Sequence, residues 1–291
     1  MMTKVKLNAA SQGTLYVVAT PIGNLEDLSA RAVRVLGSVS LIAAEDTRHT
    51  GRLLTHLGIN VAMLSLHDHN EKQRLEQIDA YLLAGQSIAL VSDAGTPLIS
   101  DPGFTLVHEL RARERAIVPV PGASALITAL SAAGIATDCF TFRGFLPAKP
   151  KSRLQALEAI KSREETQVFY ESPHRIMHTL AAMAEVFDQR RVVVARELTK
   201  TFETFLSGSP AALLAEMHSD PNQARGEFVI MIEGAPTSEP QTALAFSEVV
   251  LLEALLGEGV GVKQGAAVAA RLLGGRKQNW YTKLQAIKSG D

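Results

Sequence analysis

The sequence predicts an α/β protein in three parts: a mostly parallel N-terminal sheet with helices on both faces, a mixed α+β second domain, and a small C-terminal helical domain. Three observations carry this. From Thr14 to Gly134 short apolar, β-rich runs alternate with amphipathic stretches over short links, a pattern that joins strands by helical crossovers and so makes them parallel. Beyond Thr137 strand candidates outnumber helices. Beyond a Pro-, Ser- and Thr-rich stretch at 235–241 (APTSEPQ) only helical spacing remains.

Taken in order, 14–19 (TLYVVA) is a buried strand, 28–36 has helical spacing and 39–44 is again strand-like. Helix 47–57, strand 62–66, helix 72–83 ended by Gly85, and strand 87–91 follow. Asp101 is expected to open a helix over 102–113, after which come strand 117–120 and helix 123–133 ended by Gly134. The second domain, 135–234, should hold strands at 137–145, 167–170, 191–195, 202–207 and 227–232, with a helix at 152–161. The first domain is placed at 13–134, a linker at 235–241 and three short helices (243–256, 263–273, 277–288) within 242–291.

The 291 residues suit about two folded units plus an appendage, and 46% hydrophobic with 20% charged residues excludes collagenous or wholly disordered chains. Cys139 is the sole cysteine, which rules out an internal disulfide or thiolate cluster and suits a reducing compartment. No segment approaches the ~20 apolar residues of a membrane span, and the polar residues 1–12 lack a signal-like core. A cytoplasmic protein is expected. Net charge is −1, but 262–291 carries six Lys or Arg against Asp291, so a +5 segment follows a body of −6.

In a parallel sheet ligands gather at the carboxyl ends of strands, which directs attention to three loops. Thr20-Pro21-Ile22-Gly23-Asn24 follows the first strand, but G-x-G-x-x-G and P-loop patterns are missing. The stretch 92–103 (SDAGTPLISDPG) is long and dense in turn formers, suited to presenting main-chain groups to a small ligand. At 119–124 (PVPGAS) a helix N-terminus offers unpaired N–H groups. Glu45-Asp46-Thr47-Arg48-His49 ends the second strand, where it either positions a substrate or caps the next helix. His67-Asp68-His69 suits a solvated strand end better than a metal, His174 and His178 lack zincin spacing, and no nucleophile motif appears, so no metal site is expected. Trp280 and Tyr281 beside Arg276 and Lys277 suit RNA stacking or a helix's core face equally.

The motifs TPIGNLEDLSARA (20–32), AAEDTRHT (43–50), LHDHNE (66–71), VSDAGTPLISDPG (91–103), ALSAAG (129–134), FYESPHR (169–175) and RELTKTFET (196–204), in this order, closely resemble the tetrapyrrole methylase superfamily in its small-subunit rRNA-methylating branch. The resemblance runs from about Gly13 to Gly234 and extends to the basic helical tail. It implies a homodimeric enzyme that binds S-adenosylmethionine between two α/β domains and methylates the ribose 2′-hydroxyl of a cytidine in the decoding region of 16S rRNA, within the 30S subunit. By motif position, Pro21, Ile22, Gly23, Asn24, Asp93, Ala94, Gly95, Thr96, Ile99, Ser124, Ala125, Tyr170, Glu171 and Leu198 are expected at the cofactor. Ala94-Gly95-Thr96-Pro97 stands where many tetrapyrrole-modifying relatives carry a Gly-Gly-Asp-Pro type loop, a departure that fits a different substrate. Glu45, Asp46, Glu171 and His174 are the candidate proton acceptors or positioning groups. Arg48 and Lys200, then Lys149, Lys151 and Arg153, and Arg276, Lys277 and Trp280 of the tail, are the candidate RNA contacts. Methylation of a tetrapyrrole or another small molecule, and a non-catalytic nucleic-acid-binding regulator, are the competing readings.

Overall fold

The computed structural model describes residues 12–67, 69–236 and 248–289, which fall into two compact units, one ending at Ala235 and one beginning at Pro236. In the first unit, β1 (Thr14–Val18), β2 (Leu41–Ala44), β3 (Met63–Ser65), β4 (Ile88–Val91) and β5 (Ala116–Val120) form a sheet in the order β3-β2-β4-β1-β5. Every pairing in it is parallel. Successive side chains of a strand point to opposite faces, and β2 and β4 are apolar at every position. Leu41, Ala43, Ile88 and Leu90 therefore pack on one face with α3 (Glu71–Leu83) and α4 (Phe104–Ala112). Ile42, Ala44, Ala89 and Val91 pack on the other with α1 (Ala30–Ser38) and α2 (Thr47–His56).

The chain runs from β1 past β4 to β2 and β3, then from β4 over β1 to β5. The direction of winding thus reverses at the adjacent strands β1 and β4, which opens a crevice beyond their carboxyl ends. A two-residue ladder joins the loops there: Thr20 and Gly95 exchange backbone hydrogen bonds of 2.8 and 3.0 Å.

Helix α5 (Ala125–Ala132) continues from β5 but buries Leu126, Ala129 and Leu130 against a second sheet, formed by β6 (Phe140–Phe145), β7 (Thr166–Glu171), β8 (Val192–Arg196), β9 (Thr204–Gly208) and β10 (Phe228–Ile232). Its order is β6-β7-β10-β8-β9, parallel only between β6 and β7. The opposite face is covered by α6 (Pro150–Glu158), α7 (Ile176–Phe187) and α8 (Pro210–Ser219), with Phe169 at its centre. The mixed α+β composition expected of this domain is observed, and the β6–β7 pair adds a parallel pairing to the antiparallel ones. Arg153, expected on a cationic surface, instead has its side chain buried beneath α6, whereas Lys149 and Lys151 are exposed.

Asp101 does not open a helix. Helix α4 begins at Phe104 behind Gly103, whose φ of +118° lies in the left-handed region that glycine adopts without strain. The orphan N–H of Leu106 in its first turn is capped by the buried Glu71 carboxylate of α3, at 2.7 Å. Glu71→Ala strands that donor and is expected to cost about 1–3 kcal/mol, read as a lower unfolding midpoint; an unchanged midpoint would show that the cap is idle.

The second unit holds α9 (Glu248–Gly257), α10 (Val262–Leu273) and α11 (Lys277–Ser289). They meet around Leu252, Ala266, Ala269, Trp280 and Leu284. Trp280 is therefore a core residue, its indole N–H donating to Gly274 O at 2.7 Å, and its ring cannot stack on a base. Arg276 and Lys277 are exposed at the start of α11. Asp68, residues 237–241 of the expected linker and residues 243–247 of the expected helix lie outside the described residues.

Candidate functional site

A cavity of about 450 Å³ lies where the loops after β1, β4 and β5 face the ends of β6, β7 and β10 in the second sheet. It gathers ten of the residues expected at a cofactor: Ile22, Ala94, Gly95, Thr96, Ile99, Ser124, Ala125, Tyr170, Glu171 and Leu198. The volume and mainly apolar lining are those of a small-molecule site. Thr96 Oγ1 donates to Ala123 O at 3.0 Å, and the Leu126 N–H at the start of α5 donates to the Tyr170 hydroxyl at 3.2 Å, so the loops after β4 and β5 and strand β7 are tied together. The Phe142 and Phe145 rings meet Tyr170 edge to face, at 4.8 and 5.9 Å.

Two apolar residues project from strained turns on either side. Ile99 lies between Leu98 and Ser100, with φ of +75° and +71°, and Leu198 between Glu197 and Thr199, with φ of +50° and +65°. Non-glycine residues in this region cost of order 1–3 kcal/mol each and persist where the surroundings impose them. Gly95 (φ +82°) admits no side chain cheaply, because a Cβ there would stand 3.2 Å from Ile22 Cγ2. The main chain at Gly95 thus forms an open wall.

A second cavity, about 390 Å³, shares Ile22, Ala94 and Glu227 with the first. Pro21, Gly23, Asp93 and Lys200, expected at the cofactor or at RNA, line this one, with His49, Arg52, Leu53 and His56. Gly23 is a packing residue: a Cβ would fall 2.4 Å from Lys200 Cγ and 2.9 Å from Thr199 Oγ1. Asn24 lines neither cavity and caps the short helical turn Leu25–Asp27, its side chain accepting from Glu26 N.

The carboxylates sort themselves by their partners. Asp46 caps α2 by accepting from Arg48 N at 2.8 Å and binds the Arg48 guanidinium at 2.6 Å, which holds its carboxyl well below the usual carboxylate range. The pairing makes Asp46 a weaker base and engages Arg48. Glu45 accepts from Asp93 N at 3.3 Å and Asp93 from Asp46 N at 3.1 Å, so this acidic cluster stitches the ends of β2 and β4 together. Glu171 is buried, accepting from Ser172 N (2.8 Å) and Thr179 Oγ1 (2.7 Å) and ion-paired with Arg175 (3.2 Å). Its lone pairs are committed to fixing the end of β7. His174 sits exposed in the turn before α7, outside both cavities. Lys200 is ion-paired with Glu197 and Glu227 at 2.8 and 3.0 Å.

Asp101, which sequence reasoning assigned to a helix cap, lines the first cavity instead. Burial pushes its carboxyl up to about 6; a hydrogen bond from Ser92 opposes this and the charges of Glu45 and Asp93 add to it. Burial also raises the Tyr170 hydroxyl beside it. The available signal was the repeated acid in SDAGTPLISDPG, obscured because Asp-Pro also suits a helix entrance. Ser100 and Pro173 lie within quoted motifs but were not nominated, and Phe145, Phe228 and Val229 are further lining residues outside every motif. Among the described residues no group of three or more His, Cys, Asp or Glu could hold a metal ion, and no helix is long and apolar enough to cross a membrane.

The sequence model of the tetrapyrrole (corrin/porphyrin) methylases matches residues 14–213. The chain belongs to this family. As a tetrapyrrole methylase family member it is 49% identical to ribosomal RNA small subunit methyltransferase I of Pseudomonas aeruginosa, over 93% of this chain and 96% of that protein. It is 50% identical to the protein of the same name from Escherichia coli O157:H7, over 93% and 94%. Among solved structures, uroporphyrin-III C-methyltransferase from Thermus thermophilus superposes with a TM-score of 0.54 at 20% identity, covering 85% of this chain and 98% of that one. Cobalt precorrin-4 methyltransferase gives 0.55 at 16%, over 76% and 94%. At those identities the likeness shows the fold alone.

This methylase is an S-adenosylmethionine-dependent methyltransferase. The first cavity suits that cofactor: apolar side chains of Ile22, Ile99, Leu198 and Val229 would flank the adenosyl group, and the main chain at Ala94–Thr96 and Ser124–Ala125 supplies polar groups. A Cβ at Gly95 would crowd Ile22, itself a lining residue, so the glycine keeps the shape of this wall.

Proposed function

We propose that this methyltransferase modifies the ribose 2′-hydroxyl of a cytidine in the decoding region of 16S rRNA, acting on the 30S subunit as a cytoplasmic homodimer. The near-half identity to proteins named ribosomal RNA small subunit methyltransferase I, over nearly their whole length, supports the RNA substrate. The observation in the site that carries the chemistry is Asp101, a carboxyl at the cavity wall that burial raises to about 6.

S-adenosylmethionine supplies a methyl group already activated on a sulfonium, so the chain's task is alignment, exclusion of water and removal of one proton. The strained turns around Ile99 and Leu198 press apolar side chains on the site from both sides. With the methyl donor bound, Asp101 would accept the ribose hydroxyl proton on a carboxylate oxygen as that oxygen takes up the methyl group. Asp46 and Glu171 position the surrounding loops. Arg276 and Lys277 of the helical unit, with the exposed Lys149 and Lys151, supply screened, sequence-independent attraction to phosphates.

The test is transfer of labelled methyl from S-adenosylmethionine to unmodified 30S subunits, naked 16S rRNA or a tetrapyrrole precursor, with RNA label mapped by resistance to alkaline cleavage. Label on one ribose of a decoding-region cytidine is the expected result. Label on the tetrapyrrole alone, or cofactor binding without transfer to either RNA, overturns the reading.

A further inference from the structure

The second cavity has no part in the chemistry described above, yet it shares a wall with the first. Its floor is one face of α2, where His49, Arg52, Leu53 and His56 recur at spacings of three and four. Arg52 and both histidines are exposed, and Arg52 has no ion-pair partner among the described residues. Its neighbour Arg48, one position off this face, is occupied by Asp46. Two carboxylates also line the cavity, and both are engaged: Asp93 accepts from Asp46 N and Glu227 is paired with Lys200.

The chemistry of a ribose specifies what must lie beside a 2′-O-methylation site. The 2′-hydroxyl and the 3′-phosphate sit on adjacent carbons, so a hydroxyl placed at the first cavity carries an anion within a few ångströms. The two cavities adjoin through Ile22, Ala94 and Glu227, the last of them paired with Lys200, so an anion beside a hydroxyl in the first would face the second. A guanidinium binds phosphate oxygens in a bidentate fork, and imidazole N–H groups add single donors.

We infer that the second cavity is a phosphodiester subsite for the RNA substrate, with Arg52 as its principal cation and His49 and His56 as flanking donors. This rests on the reading of the chain as an RNA 2′-O-methyltransferase. It assigns to α2 a role in seating the nucleotide that is distinct from the dispersed attraction of the lysines.

The test measures binding of full-length protein to naked 16S rRNA by filter retention across a salt series, with methyl transfer to 30S subunits assayed alongside. Arg52→Gln is expected to weaken RNA binding about tenfold at low salt and to reduce the slope of log affinity against log salt by roughly 0.7 to 1, the share of one phosphate contact. S-adenosylmethionine affinity stays unchanged, and Arg52→Lys retains most of the slope. Wild-type RNA affinity and slope in Arg52→Gln, with label transfer intact, overturn the subsite and leave the methyltransferase reading standing. Failure of the wild-type chain both to bind RNA and to transfer label to 30S subunits overturns both.

Discussion

Asp101→Asn is expected to lower kcat for methyl transfer about 10²- to 10⁴-fold, the range spanned by a positioned general base, while S-adenosylmethionine affinity changes by no more than roughly twofold. The side chain keeps its shape and loses only the ability to accept the proton. Because burial raises the wild-type carboxyl to about 6, the base is ionised above that pH and protonated below it. The wild-type kcat/KM, which reports the free enzyme, should therefore rise with pH and level off above about 6, and the inflection should be absent from Asp101→Asn. An inflection that persists in the variant would move the proton acceptor elsewhere, with Glu45 the next carboxylate to replace.

Stability carries an independent signature of the same residue. A carboxyl whose folded value lies above its ordinary 3.8 binds more protons in the native state than in the unfolded one between those values. Native stability is then lost as pH rises from 3.8 to about 6 and stays constant above. Asparagine carries no charge to bury, so Asp101→Asn should melt at a higher temperature than wild type at pH 7, with the gap closing as pH falls below 6. Loss of activity accompanied by a gain in stability separates a functional carboxylate from a structural one.

What the sequence disclosed and what it concealed divide along physical lines. Strands such as LIAA and IALV, apolar at every position, announce a sheet buried on both faces, and the short links between them allow few topologies. The motif loops were legible because they follow those strands, and most of the residues they nominated do line one cavity. Concealed were the features set by tertiary partners. Glu71 caps α4 from a different helix, which frees Asp101 from the capping role that its own sequence suggests. The left-handed backbone flanking Ile99 and Leu198 involves Leu, Ser, Glu and Thr, none of which signals positive φ by type. Arg153, nominated as an RNA contact, has its side chain buried, and Trp280, whose sequence allowed base stacking or a core face alike, packs in the core. The ion-pair partners of Asp46, Glu171 and Lys200, namely Arg48, Arg175, Glu197 and Glu227, are likewise assigned by the fold, although the capping role of the 45–49 segment was legible.

Gly95→Val is expected to weaken S-adenosylmethionine binding at least tenfold, which corresponds to about 1.4 kcal/mol. The residue has a φ of +82°, where an L side chain strains the backbone and a β-branched one does so most. Its Cβ would begin 3.2 Å from Ile22 Cγ2, before the two γ-methyls of valine are placed. Relief requires the loop to turn or recede, and either motion pulls on the paired Thr20 and Gly95 hydrogen bonds that fix the loops after β1 and β4 to each other. Ile22 and Ala94 to Thr96 would move together, so the cavity loses its shape on one side while β1 and β4 beneath, buried among other contacts, keep theirs. The variant should therefore unfold cooperatively at a moderately reduced temperature and show its main defect in calorimetric titration with the cofactor. Affinity within twofold of wild type would mean that the Gly95 wall is not where the cofactor lies, and would redirect attention to the Ser124–Ala125 side of the cavity.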